Sequence, residues 1–225
     1  MLEPEALQGA FLAATGEVQA LMNHLGLAAR SAPTAKLVFE SDFRAALRRA
    51  LQFGRQEMVS VESSVGKDGL LSHPTDVVVA GRTRTAQLAM EVQWHPRGED
   101  HAGFAQFAIG DLVKMAVAKS SEAVEQAAIV VAAPARFWRW LPGYAEEHVG
   151  FELLGADADT PCSAKSDFLA GPSFDFLRGN GGEAEAPDRL WTQLLAKSEI
   201  RSPWAELELR LLEVKGLGAR AGSRT

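Results

Sequence analysis

Cysteine is nearly absent from the chain: Cys162 stands alone among 225 residues. A lone thiol excludes an internal disulfide and any cysteine-rich metal site. Also missing is an apolar run long enough to cross a bilayer. The opening stretch, MLEPEALQGAFLAATGEVQ, has no basic run ahead of an apolar one and carries Glu3, Glu5 and Glu17, so it does not read as a secretory leader. These absences together favour a cytoplasmic protein with no membrane partner. Basic charge is scarce as well. The net charge of −6 argues against a protein that coats nucleic acid nonspecifically, because such binding rests on many Lys and Arg contacts to phosphate. The deficit is uneven, however: residues 1 to 140 sum to −1 and residues 141 to 225 to −5, which leaves room for a local basic groove in the first part.

What is present suits one domain with a sizeable core, 47% of the chain being hydrophobic. Residues 4 to 29 read as a helix carrying Leu7, Phe11, Leu12, Leu21, Leu25 and Leu27. SAPTAK breaks the chain. A second helix is expected from about Ala35 to Phe53, with Phe39, Phe43, Ala46, Leu47, Ala50 and Leu51 in one stripe and Arg44, Arg48, Arg49 and Arg55 off it. Three strands follow, EMVSVESSV (57 to 65), PTDVVVA (74 to 80) and TAQLAMEVQW (85 to 94), separated by turn signals. A helix over about 101 to 121 and the continuously apolar strand QAAIVVAAP (126 to 134) complete an αβββαβ order. Beyond Pro134, FWRWLPGY is aromatic, RGNGGEAEAPD reads as an acidic loop, DRLWTQLLAKS as a short helix and WAELELRLLEV as an edge strand.

The stretch LAMEVQW places Glu91 and Gln93 in a strand that is otherwise core. Side chains alternate along a strand, so Glu91 and Gln93 share one face while Leu88, Met90, Val92 and Trp94 share the other. Asp76 begins the preceding strand. A six-residue hairpin loop sets Asp76 directly opposite Glu91, a four-residue loop makes them diagonal neighbours, and an odd loop without a bulge separates them. Two carboxylates side by side repel unless one is protonated or a cation lies between them. Hard oxygen donors suit Mg²⁺, which keeps several waters and completes its shell with phosphate oxygens. Such an ion acidifies a bound water and polarises a phosphoryl group.

The helix with Glu40, then Pro74, Asp76, Glu91 and Gln93, then a helix and a strand, resembles the PD-(D/E)xK nuclease superfamily over roughly residues 36 to 134. EVQW resembles the restriction-endonuclease branch that carries Gln where others carry Lys. The resemblance implies an α/β fold with a restriction-endonuclease-like core, a mixed central sheet flanked by helices. Around that core, residues 1–35 are expected to form an N-terminal helical segment and 135–225 a C-terminal elaboration of one domain. It implies a Mg²⁺-dependent DNA endonuclease of the restriction or defence kind, with Mn²⁺ as a substitute ion, and a homodimer if both strands are cut symmetrically. Asp76 and Glu91 would hold the metal, Glu40 would assist, and Gln93 would orient the attacking water. Gln carries no charge and is no base at neutral pH, so activation must come from elsewhere. Arg82, Arg84, His95, Arg97 and the arginines of the second helix are candidate contacts to DNA phosphates.

Other readings stand beside these. Glu40 also suits a helix cap or an i,i+4 pair with Arg44. Glu62 competes with it as the further acidic ligand. His73, His95 and His101 lie near the motif strands, but no zinc spacing supports them. Lys114 could replace the missing lysine charge, although a solvated helix face is the simpler expectation. FWRW suits either base stacking or closure of a sheet edge, and RGNGGE lacks the Lys and Ser/Thr of a phosphate loop. The rival to an enzyme is a binding module on the same fold with a weakened site, for nucleic acid or a protein partner.

Overall fold

A computed structural model describes residues 2–28, 40–53, 58–63, 74–81, 85–95, 100–145, 147, 160–162, 190–201 and 206–217. In chain order the elements are α1 (Pro4–Ala28), α2 (Glu40–Gln52), β1 (Val59–Ser63), β2 (Thr75–Val79), β3 (Ala86–Trp94), α3 (His101–Ser120), β4 (Val124–Pro134), α4 (Ala135–Tyr144), β5 (Thr160–Cys162), β6 (Leu190–Arg201) and β7 (Glu206–Leu217). The strands form one mixed sheet ordered β1-β2-β3-β4-β7-β6-β5. Only β3 and β4 run parallel, joined through α3; the remaining pairs are antiparallel. The αβββαβ order expected for the first part is thus present, although the second helix begins at Glu40 and residues 35–39 lie outside the described set. None of the described helices is long and apolar enough to cross a membrane.

Strand alternation divides the core in two. Val78, Ala89, Ala127, Ile129 and Val131 face α3 and α4, where Ala108, Ile109, Leu112 and Phe137 are buried. Val77, Leu88, Met90, Ala128 and Val130 face α1 and α2. Residues of β4 enter both clusters, as a strand covered on two sides must. The buried stripe of α1 is Leu7, Ala10, Phe11, Ala14, Val18 and Met22, at three- and four-residue steps, whereas Leu12 and Leu21 are turned outward. Phe43 locks α2 in place, edge-on to Phe11 at 6.3 Å and tilted against Trp94 at 5.8 Å between ring centroids. Each such pair adds roughly 0.5–1.5 kcal/mol to plain burial. The consequence for the site is positional, because Glu40 and Arg44 flank Phe43 by three residues and one.

Two expectations for the last third are corrected. The segment read as a short helix, DRLWTQLLAKS, is strand from Leu190 onward. Its ladder with β7 shifts register between Leu194 and Ala196, which leaves Leu195 as an inserted residue. Leu194 then packs toward the α3 side while Leu195 and Ala196 pack toward α1. Leu195 and Ala196, adjacent residues serving one face across the bulge, break the two-residue alternation of a strand. The second correction concerns WAELELRLLEV, whose β7 is no edge strand but lies between β4 and β6. Its polar Glu208 and Arg210 are covered by α4. The Arg210 guanidinium sits 3.9 Å over the Trp138 ring, and Trp138 Nε1 donates to the Glu208 carbonyl at 3.2 Å. FWRW therefore belongs to a helix lying on the sheet face. The acidic loop 178–188 lies outside the described residues.

A carboxylate cluster between the sheet and helix α3

The β2–β3 ladder pairs Val77 with Met90, Val78 with Ala89 and Val79 with Leu88. Continued one step, this register would set Asp76 across from Glu91, the parity a six-residue loop gives. Beyond the last paired residues the Asp76 side chain continues the ladder itself: Oδ2 accepts from Val92 N at 2.8 Å, and Oδ1 accepts from Arg44 Nη1 at 2.6 Å. Glu91 is 3% exposed, on the face of β3 that meets α3. Lys114 Nζ donates to its carboxylate and also to the Pro74 carbonyl at 3.0 Å.

Lys114 is thus no solvated helix residue. It is buried, because α3 is apolar on nearly all sides, and its ammonium reaches back over the sheet to Glu91. Gln93 donates through Nε2 to Asp111, one turn before Lys114 on α3. Asp111 escaped the sequence reading. The available signal was a lone acid and base three residues apart in the apolar stretch AIGDLVKMAVA.

Burial raises the Glu91 carboxyl well above the usual carboxylate range, Asp111 and Asp76 add to the rise, and Lys114 opposes it. Glu40, at the N-terminus of α2, is pushed up to about 7 by burial and by Asp76, with Arg44 pulling the other way and Asp111 adding to the rise. Glu40 and Arg44 also form the i,i+4 pair, at 3.7 Å. The structure therefore gathers Glu40, Asp76, Glu91 and Asp111 with Arg44 and Lys114. Glu62, the competing ligand, is exposed, carries φ 51° and meets Arg44 Nη1, the nitrogen that also holds Asp76, at 3.3 Å.

The donors are hard oxygens, which fits Mg²⁺. Among the described residues, no three Asp, Glu, His or Cys side chains are spaced to hold a metal ion together. The fit is therefore to an ion bound through one or two carboxylates with waters and substrate oxygens filling its shell, the usual Mg²⁺ habit.

His95 is corrected as a DNA contact. It is buried, stacked on Phe104 with ring centroids 4.3 Å apart and edge-on to Phe137, and its Nε2 meets His101 Nδ1 at 3.1 Å. His95 is thus covered by its aromatic neighbours, and partial burial lowers the pKa of its partner His101, aided by Arg136. Arg82, Arg84, Arg97 and His73 lie outside the described residues. The start of α3 beside this pair depends on one glycine. Asp100 caps the helix by accepting from Gly103 N at 2.9 Å, and a Cβ at Gly103 would lie 2.3 Å from the capping carboxylate. Comparison with family models, with curated proteins and with solved structures returns no match to this chain.

Proposed function

We propose that the protein is a Mg²⁺-dependent endonuclease acting on DNA phosphodiester bonds, built on a restriction-endonuclease-like core. The observation that carries the reading is the gathering of four carboxyl groups from α2, β2, β3 and α3, two of them pushed toward the neutral form chiefly by burial, with neighbouring carboxylates adding to the rise. A divalent ion among them would offset the repulsion between neighbouring carboxylates. Asp76 and Glu91 would hold it, with Glu40 assisting and Mn²⁺ able to substitute. Bound there, the ion would acidify a water and neutralise charge on the phosphoryl group.

The chain's own residues would do the rest. Lys114, held by the Pro74 carbonyl, presents the positive charge that Gln93 lacks. Gln93, fixed by Asp111, retains its amide oxygen to orient a water.

The test is cleavage of plasmid and oligonucleotide DNA with Mg²⁺ or Mn²⁺ by the parent, Asp76→Ala and Glu91→Ala. The parent should cut and both variants should not. Cutting that persists in both variants would remove the site assignment. A specific feature favours the rival binding module: Arg44 and Lys114 already engage the two proposed ligands. A parent that neither cuts nor binds metal would decide for that reading.

A further inference from the structure

Arg44 stands between the carboxylate cluster and the first strand of the sheet, and three carboxylates compete for it. Its Nη1 donates to Asp76 Oδ1 at 2.6 Å and, at a longer 3.3 Å, to Glu62 Oε1. Its Nη2 lies 3.7 Å from Glu40 Oε1. The other Asp76 oxygen accepts from Val92 N at 2.8 Å, so the shortest contact of the guanidinium falls on the oxygen that the backbone leaves open. That oxygen is the one a metal ion at Asp76 would most readily take. A dication and a guanidinium on one oxygen repel each other, so one of them must leave.

The structure also provides a place for the guanidinium to go. Asp76 is 15% exposed and fixed by Val92 N, whereas Glu62 is 67% exposed and its contact with Arg44 is the looser one. Strand β1 pairs Val61 with Val77 and Ser63 with Thr75, and Glu62 between them carries φ 51°, in the left-handed region that a glutamate seldom adopts. Such a conformation persists only where its surroundings hold it. Arg44 and Glu62 both line a hollow of about 500 Å³ between α2 and β1, which gives the guanidinium room to turn from one carboxylate to the other.

We propose that Arg44 is a stand-in counter-ion for Asp76: a divalent ion binds by displacing its guanidinium onto Glu62, so Glu62 sets metal affinity without touching the metal. The exchange rests on the metal-dependent nuclease reading. It gives the pairing of Arg44 with a proposed ligand a use other than a weakened site. The test is a calorimetric titration of Mn²⁺ into the parent, Arg44→Gln, Arg44→Lys, Glu62→Gln and the double variant Arg44→Gln/Glu62→Gln, with circular dichroism to check each fold. Affinity is read directly, without cleavage.

Arg44→Gln should bind Mn²⁺ about 10-fold or more tightly than the parent, the effect of one charge within a few ångströms of the site. Its thermal midpoint should also rise more on adding Mn²⁺. Arg44→Lys keeps the charge and should stay near the parent; affinity as high as that of Arg44→Gln would overturn the proposal. Glu62→Gln should weaken binding by about 5-fold or more in the parent and leave it nearly unchanged in the Arg44→Gln background, because the acceptor matters only while there is a guanidinium to receive. An equal loss in both backgrounds would make Glu62 a ligand and overturn the exchange. Glu62 is at the surface, so Glu62→Gln decides even where Arg44→Gln does not fold: parent affinity unmoved by it would overturn the exchange. Binding by the parent with Arg44→Gln no tighter would sink the exchange and leave the nuclease reading standing. Binding by Arg44→Gln and none by the parent would uphold Arg44 as the competitor and count against the nuclease reading. No binding by any of these proteins would sink both.

Discussion

Replacing Glu40 by Gln should stabilise the fold, and only at higher pH. Burial and Asp76 raise the carboxyl from 4.5 to about 7 in the folded chain. A carboxyl whose folded pKa exceeds its unfolded value binds more protons folded than unfolded between those two values. Stability from this group is then fully present below about 4.5 and falls as pH rises to about 7, beyond which the penalty is constant. The gap from 4.5 to about 7, at about 1.36 kcal/mol per pH unit, sets an upper bound near 3.4 kcal/mol. The side chain is 34% exposed, so solvent screening reduces this to about 1–2 kcal/mol. Gln keeps the shape without the charge. In urea denaturation the variant should match the parent near pH 4 and exceed it by about 1–2 kcal/mol at pH 8. Equal stability at both pH values, or a variant that is weaker at pH 8, would refute the electrostatic account of the cluster.

Asp76 bears both a structural and a proposed metal-binding role, and two substitutions separate them. Asp76→Ala removes the acceptor for Val92 N and for Arg44 and should cost about 1–3 kcal/mol in denaturation, whereas Asp76→Asn keeps an oxygen for Val92 N and should cost less; both should abolish cleavage. Lys114→Gln should lower cleavage at pH 7 by about 100-fold. Adding Gln93→Lys to that variant should recover most of the loss, because it places an ammonium beside Asp111 on the same sheet face. Failure of the double variant to exceed Lys114→Gln would remove the proposed equivalence of the two positions.

Much of this arrangement was legible because alternation is a strong signal. β2, β3 and β4 and the pairing of Asp76 with Glu91 follow from side-chain parity and an even loop. Lys114 was misread because charge ordinarily marks solvent. Here the helix is apolar around its circumference, and one buried ammonium is kept by Glu91 and the Pro74 carbonyl. Asp111 was invisible for the same reason. The β6 error has a different origin, since the bulge at Leu195 erases the two-residue period on which strand recognition depends. The outer position wrongly given to β7 arose from Glu208 and Arg210, polar residues whose cover comes from Trp138, more than sixty residues earlier in the chain.

Calorimetric titration of Mn²⁺ into the parent at pH 7, repeated in buffers of different ionisation enthalpy, measures both the ion bound and the protons it displaces. One ion per chain should bind with release of protons from Glu40 and Glu91, and Asp76→Ala should abolish the heat. Absence of binding in the parent, or binding undiminished in Asp76→Ala, would contradict the account.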